Sequence, residues 1–301
     1  MNEFQFALQV LLAGIARGSV IGLVAISIVV VFTATRLLNF AAGEFVMVGS
    51  IAGVLIATPG KAGFWWIALV AGIIMGTIYA VSMERLVVAP LRRRGVEPII
   101  IVIALLGVSI FTAQGAQQLL TPVTRAVSSP WLGDPFDIFG VIVPRHTIAI
   151  ILGVGFAVTL FMLIRQRTNL GLSLRAVGSN RDGARVIGLN VGRVESLAFG
   201  LSAAVASLAG MLIAPLSGWQ PTMGLGIAIT AFIAALVGGI TNPLAAFIGA
   251  MIIGILGVAI EIYISPLYSS PILFLVLVVV VLFRPSGIIP SRESEDGPLR
   301  A

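Results

Sequence analysis

Nine apolar runs, at about 6–33, 42–58, 64–83, 98–120, 146–164, 196–216, 225–241, 244–264 and 270–283, take up most of this chain. A helix of roughly 20 apolar residues crosses the hydrocarbon core of a bilayer. Runs 42–58, 225–241 and 270–283 fall short of that and are expected to be broken, re-entrant or tilted. The expected fold is an all-α polytopic membrane protein with eight to nine transmembrane or partly re-entrant helices. Its domain organisation follows: one transmembrane domain over 1–290 and a polar tail at 291–301. Composition agrees, because only 10% of the 301 residues are charged and 58% are hydrophobic, whereas a soluble domain carries about 25% charge. Alternating polar-in, apolar-out strands are absent, which excludes an outer-membrane barrel. The opening residues 1–18 carry Glu3 and no basic stretch, so they read as a retained first helix rather than a cleaved leader.

The arginines orient these spans. If the connections near 36, 84–97 and 165–195 and the tail lie on the cytoplasmic side, that side holds fourteen of them: Arg36, Arg85, Arg92, Arg93, Arg94, six in the long loop, Arg284, Arg292 and Arg300. The other side holds Lys61, Arg125 and Arg145. Such a bias places the N-terminus outside and the C-terminus in the cytoplasm. The formal charge of +6 is therefore topogenic, and nucleic-acid binding is excluded as its cause. The outer connection 121–145, rich in Pro, Gly and aromatics, is expected to cap the outer face.

The loop 165–195, RQRTNLGLSLRAVGSNRDGARVIGLNVGRVE, carries more pattern than a turn between two spans requires. Ser179 or Asn180 can cap a short helix, with Asp182 in its first turn where negative charge suits the helix dipole. Ala184, Val186 and Ile187 would form a small apolar face, and Gly188 would end the helix. Two readings stand: a purely topogenic loop, or a docking element for a cytoplasmic motor.

Within the spans, Glu44 is a carboxylate at the edge of an apolar run, where an unpaired charge costs several kcal/mol. It either follows Asn39 as a cap and faces the positive end of a helix, or it lines a substrate path. Arg17 is expected to snorkel outward and Glu261 to sit at an interface. Gly238–Gly239 marks either close helix packing or a discontinuous helix along a path. The stripe Ala246, Ala250, Gly254 lies on one helix face and predicts close packing.

Some chemistry is excluded. With no cysteine and a single histidine, His146, neither a zinc site nor a thiol nucleophile is available. Lys61 is the only lysine and Ala62 follows it, so no nucleotide-binding P-loop exists. No acid–base pair suits an enzyme. A stand-alone carrier would ordinarily keep several intramembrane carboxylates as relays, and Glu44 is the one good candidate.

Taken in order, the segments NFAAGE (39–44), LRAVGSNRDGARVIGLNVGRV (174–194), AFGLSAAVASLAGML (198–212), AFIAALVGG (231–239) and FRPSGI (283–288) resemble the membrane permeases of branched-chain amino acid ABC importers, the LivH/LivM family, nearest its LivH type. The likeness spans about 10–290, and the 174–194 motif is its most specific part. It implies an ABC-importer permease fold in a bacterial cytoplasmic (inner) membrane. It also implies that Arg175, Ala176, Asn180, Arg181, Ala184, Arg185 and Gly188 couple the chain to ATPases. Asn39, Gly43, Glu44, Gly238 and Gly239 would lie near the translocation path. The implied partners are a second, LivM-like permease, two cytoplasmic ATPase subunits, an extracytoplasmic solute-binding protein and membrane lipid, but no nucleic acid. No metal or other cofactor is expected in this chain, with ATP and Mg on the partner subunits. The sequence departs from the family at Ala42, where His is frequent, and at Thr241-Asn242-Pro243, where a Gly/Ser-rich turn is usual. Related permeases carry urea, short amides and other small organic solutes.

Overall fold

The structure, a computed structural model, describes residues 3–120, 123–138, 141–285 and 287–289. The tail expected at 291–301, with Arg292 and Arg300, lies outside the described residues, as does Ser286 of the closing motif. The helices are α1 Glu3–Thr35, α2 Ala42–Ile56, α3 Trp65–Met83, α4 Ala89–Arg93, α5 Pro98–Leu120, α6 Arg145–Arg167, α7 Asn169–Ser179, α8 Arg181–Val186, α9 Val191–Ser217, α10 Met223–Gly238, α11 Pro243–Tyr263 and α12 Pro266–Phe283. A π-turn over Glu84–Val88 joins α3 to α4, and a short hairpin pairs β1 Phe136–Ile138 with β2 Val141–Val143.

Seven of these helices are long and apolar enough to cross a bilayer: α1, the α3–α4 rod, α5, α6, α9, α11 and α12. The chain is thus a multi-pass, all-α membrane protein. Helices α2 and α10 are apolar but shorter, as their runs predict. Helix α12 differs from expectation: it starts at Pro266, capped by Ser265, and reaches 18 residues. Pro at the first helical position supplies a preset φ and lacks only an N–H that would be unbonded there anyway. The same logic explains Thr241-Asn242-Pro243. The Leu244 N–H donates to Asn242 Oδ1 at 3.0 Å and Pro243 opens α11.

Helix α1 runs through the centre, with Leu23, Val24, Ala25 and Ile26 wholly buried. Along one side it meets α11 at near-backbone distance. A Cβ added to Gly18 would stand 2.9 Å from the Ala250 carbonyl oxygen, and one on Gly254 would run into the Gly18 backbone. The predicted stripe is therefore a packing seam, answered on α1 by Gly14 and Gly18. On the other side, Ser27 and Ser202 of α9 share a buried hydroxyl–hydroxyl bond of 2.7 Å. Helix α2 is wedged between α3 and α9. Their backbones approach closely at Gly49, Gly72, Gly76 and Gly210, and Ser207 Oγ donates to the Phe45 carbonyl at 3.0 Å. The outer faces of α5 and α12 carry exposed Phe111, Leu119, Leu282 and Phe283, the surface that lipid or an apolar neighbour covers in a membrane protein.

The two ends of the bundle differ. At one end the 165–195 loop gathers with the ends of α1, α4 and α6. There Arg36 donates to the Gly178 carbonyl at 2.9 Å and Arg92 to the Thr35 carbonyl at 3.1 Å. At the opposite end the 123–138 segment folds inward, pairing Arg125 with Trp219. Trp65, Trp66 and Trp131 pack edge to face there. His146 is buried beside Trp131, its Nε2–H donating to the Leu212 carbonyl at 2.7 Å and its Nδ1 accepting from Ser129 Oγ at 2.9 Å. Both ring nitrogens are occupied, so this histidine ties α6, α9 and the end segment together. Arg17 does not simply snorkel. It pairs with Glu261 across the α1–α11 seam at 2.5 Å.

Candidate functional site

Two regions hold the residues singled out from sequence. The first is the loop. It contains two helices, not one, and α7 was not foreseen. Its cue is Thr168, whose Oγ1 accepts from the Gly171 N–H at 3.3 Å, followed by Leu170, Leu174 and Val177 at helical spacing. Ser179 closes α7 and leaves the capping of α8 to Asn180, whose Oδ1 accepts from the Gly183 N–H at 2.8 Å. Gly188, at φ +86°, ends α8 as predicted: its N–H reaches the Arg185 carbonyl and that of Leu189 the Ala184 carbonyl, both at 3.0 Å. A third cap, Asn190, opens α9 by accepting from the Arg193 N–H at 3.1 Å. Short polar side chains at each junction satisfy amides that the helices cannot.

The expected apolar face of α8 divides in two. Ala184 turns inward, 3% exposed, into a small core with Val177, Val191 and Val194. Val186 and Ile187 point the other way and are 87% and 72% exposed. Their side of α8 is therefore presented outward, because the loop's own core is filled from the opposite side. Arg175 stands exposed on α7, and Ala176 spends its carbonyl on the Asn180 N–H at 3.1 Å. Arg185 pairs locally with Asp182 at 2.9 Å. Arg181 reaches Glu195, a buried carboxylate that Arg92 also approaches at 2.5 Å, an ion pair by distance although its N–H vectors are not aligned for a hydrogen bond. Burial presses the Arg181 guanidinium below its ordinary range, and Glu195 opposes the shift. Next to it, Ser196 Oγ donates to Glu84 at 2.5 Å.

The second region lies inside the bundle. Glu44 is 1% exposed, in the first turn of α2. Its Oε1 accepts from Ser109 Oγ at 2.8 Å, and Ser109 is midway along α5, so the carboxylate sits at mid-depth. Asn39 is buried before α2, with Oδ1 accepting from the Ala41 N–H at 3.1 Å. It forms a turn one step ahead of the helix; the helix-capping position itself belongs to Ala41. Gly43 meets Gly224 of α10 backbone to backbone, and a Cβ on Gly224 would stand 3.1 Å from Glu44 Oε1. Two helices thus begin at the same depth, α2 at Ala42 and α10 at Met223, with a carboxylate where their positive ends converge. Gly238 and Gly239 lie at the other end of α10. There a Cβ on Gly238 would strike the Ala245 carbonyl, and Gly239 adopts φ +137°. They anchor α10 against α11 and the 287–289 segment, some four turns from Glu44.

Sequence reasoning passed over the connection between α9 and α10. Residues 218–222 fold back into the bundle, with Trp219 Nε1–H donating to the Met47 carbonyl at 3.1 Å. Beside them opens a cleft of about 590 Å³ between α1, α6, α9, α10 and α12, lined by Arg17, Thr147, Ser217, Gln220, Thr222 and Thr230 among others. The cue was GWQPTMG at 218–224, the polar interruption between two apolar runs.

A family model described as branched-chain amino acid transport system / permease component matches residues 10–282. Among curated proteins, the chain is 29% identical to the high-affinity branched-chain amino acid transport system permease protein LivH of Escherichia coli K12, over 98% of this chain and 99% of that protein. It is 30% identical to the corresponding permease protein BraD of Pseudomonas aeruginosa, with the same coverage. A shorter likeness, 31% over 140 residues, links 44% of the chain to 43% of the ribose import permease protein RbsC of E. coli K12.

Proposed function

This chain belongs to the family of branched-chain amino acid transport permeases, and we propose that it is the membrane-spanning subunit of an ATP-driven importer for branched-chain or other small amino acids. As a permease component it works among partner subunits. In this reading those are a second, LivM-like permease, two cytoplasmic ATPases that bring the ATP and Mg, and an extracytoplasmic solute-binding protein. The single observation that carries the coupling is α8. It is a capped helix between α7 and α9, with Val186 and Ile187 exposed on its outward side and covered by none of the described residues. Energy from an ATPase would enter there, with Arg175 and Arg185 around the contact and Arg181 turned inward to Glu195.

In this reading, which the positive-inside bias supports, the loop end of the bundle faces the cytoplasm from a bacterial inner membrane. The cleft, mostly apolar but carrying Arg17, Gln220 and several Thr side chains, then faces the other side and reaches the first turn of α10 at Met223, next to the buried contact of Gly43 with Gly224. Solute would descend along this seam, with Asn39, Gly43 and Glu44 at mid-depth and Gly238–Gly239 fixing the angle of α10 at its inner end. A broken helix at mid-membrane is a recurrent way to offer unpaired backbone groups to a solute. The relatives' names favour branched-chain amino acids. Urea, a short amide or another small solute of the same family is the second reading, because Ala42 and Thr241-Asn242-Pro243 depart from the family's usual residues. A stand-alone carrier is disfavoured, since it gives α8 no role.

The test is reconstitution. The chain is co-expressed with a LivM-like permease and the ATPase subunits of its own source, purified in mild detergent and placed in liposomes with the binding protein. ATPase subunits should co-purify, and radiolabelled leucine uptake should require ATP and the binding protein. Uptake driven by an ion gradient without ATP would overturn the importer reading.

A further inference from the structure

We propose that Glu195 is the positioning residue that transmits movement of α8 into the membrane helices, through one carboxylate shared by Arg181 and Arg92. The inference rests on the importer reading and deepens it by naming the route from docking helix to bundle.

The geometry is specific. Glu195 is the fifth residue of α9 and is buried. Its Oε1 takes Arg181, the first residue of α8, from one side, and Arg92 of α4 from the other at 2.5 Å. Arg92 also holds the Thr35 carbonyl, the last residue of α1, at 3.1 Å. One oxygen atom therefore joins α8 to α9, to the α3–α4 rod and, through Arg92, to the end of α1. The adjacent residue strengthens the junction, because Ser196 donates to Glu84 at the start of the π-turn. A π-turn inserts one extra residue into a helix and often marks a functional site. Here it rotates the end of the rod so that Glu84 and Arg92 both face α9.

The arrangement is more than a local weld. Two buried-side guanidiniums on one carboxylate leave strongly repelling charges if the carboxylate goes. Helix α8 is otherwise held by the small core under Ala184 and by its caps. With Glu195 neutral, α8 would keep its fold and its docking side and lose its link to the rod. Docking would survive and transmission would not.

The experiment measures leucine transported per ATP hydrolysed by the reconstituted complex, for the wild type, Glu195→Gln, Arg181→Gln and the double variant. We expect each single variant to retain its ATPase subunits and most hydrolysis while uptake falls at least 10-fold, so that the ratio falls with it. The double variant should be no worse than Glu195→Gln, because both act through one contact; Glu195→Asp should restore part of the ratio. Arg181→Gln leaves the Arg92–Glu195 pair in place and keeps the test valid should Glu195→Gln fail to assemble. An unchanged ratio, with uptake and hydrolysis falling together or not at all, overturns the proposal, as does additive loss in the double variant. ATP-independent uptake by the wild type is a different failure, which removes the importer reading and this inference with it.

Discussion

Replacing Val186 and Ile187 together by Ser isolates the proposed docking side of α8 from everything else in the loop. Fully burying a Val or Ile side chain is worth about 1.5–3 kcal/mol. Scaled by exposures of 87% and 72%, the pair still holds about 2.4–4.8 kcal/mol. Association realises only part of such area, because ordering and imperfect desolvation oppose it. Taking about half leaves about 1.2–2.4 kcal/mol, or roughly 8–60-fold weaker binding of the ATPase subunits. The chain itself should hardly notice, since Ile187 caps α8 through its backbone N–H alone and substitutions of exposed side chains usually shift stability by about 0.5 kcal/mol or less. The assay is titration of purified ATPase onto the detergent-solubilised permease, beside its thermal unfolding midpoint. An unchanged affinity with an unchanged midpoint would refute the docking assignment. Ala184→Trp makes the contrast: it overpacks the core against Val177 and Val191, so the midpoint should fall and the binding loss should follow from damage to the loop.

Cysteines introduced into this cysteine-free chain at Asp134 and Ser179, both exposed, should report sidedness: an impermeant maleimide labels Asp134→Cys in intact spheroplasts and spares Ser179→Cys, and the reverse pattern inverts the topology. Glu44→Gln keeps an acceptor for Ser109 but removes the charge; assembly should persist and leucine uptake should fall several-fold, whereas normal uptake would take Glu44 out of the path. Gly188→Ala meets no neighbour within 4 Å, so its cost is the left-handed backbone alone, about 1–2 kcal/mol, read as a lower unfolding midpoint that Gly188→Asn partly recovers. Gly254→Leu should be far worse, since its side chain must displace the Gly18 backbone; failure of the chain to accumulate in the membrane is the expected result, and normal accumulation would refute the tight α1–α11 seam.

Local chemistry was legible in the sequence wherever a residue type has one physical use. Asn180, Asp182 and Gly188 frame α8 as read, because a capping amide, an N-terminal acid and a left-handed glycine are local devices. The nine apolar runs reappear as seven long and two short apolar helices, since hydrophobic length is set by the bilayer alone. Partner choice was less legible. Arg17 looked solitary because Glu261 lies 244 positions away, and charge pairs across helices leave no spacing to read. The glycines at 14 and 18 show the four-residue spacing of a packing face, yet only the answering stripe on α11 tells which neighbour they meet. The division of α8, with Ala184 inward and Val186 and Ile187 outward, was hidden for the same reason: a six-residue helix carries too few positions to show which side faces its own loop.

The interior site shows how far an isolated acid can mislead. Read along the chain, Glu44 follows Asn39 and faces the start of its own helix, and that remains true of the folded protein. What the linear order concealed is that α10 starts beside it, 179 positions later, because GWQPTMG folds inward rather than bridging two helix ends at the surface. The Ser109 hydrogen bond and the two converging helix starts supply the stabilisation that an apolar run cannot, so a carboxylate is tolerated at mid-depth without a cationic partner among the described residues. The two readings of Glu44 are therefore not alternatives. The helix-end environment is what allows an acid to stand there, and the proposed path past the first turn of α10 is compatible with it.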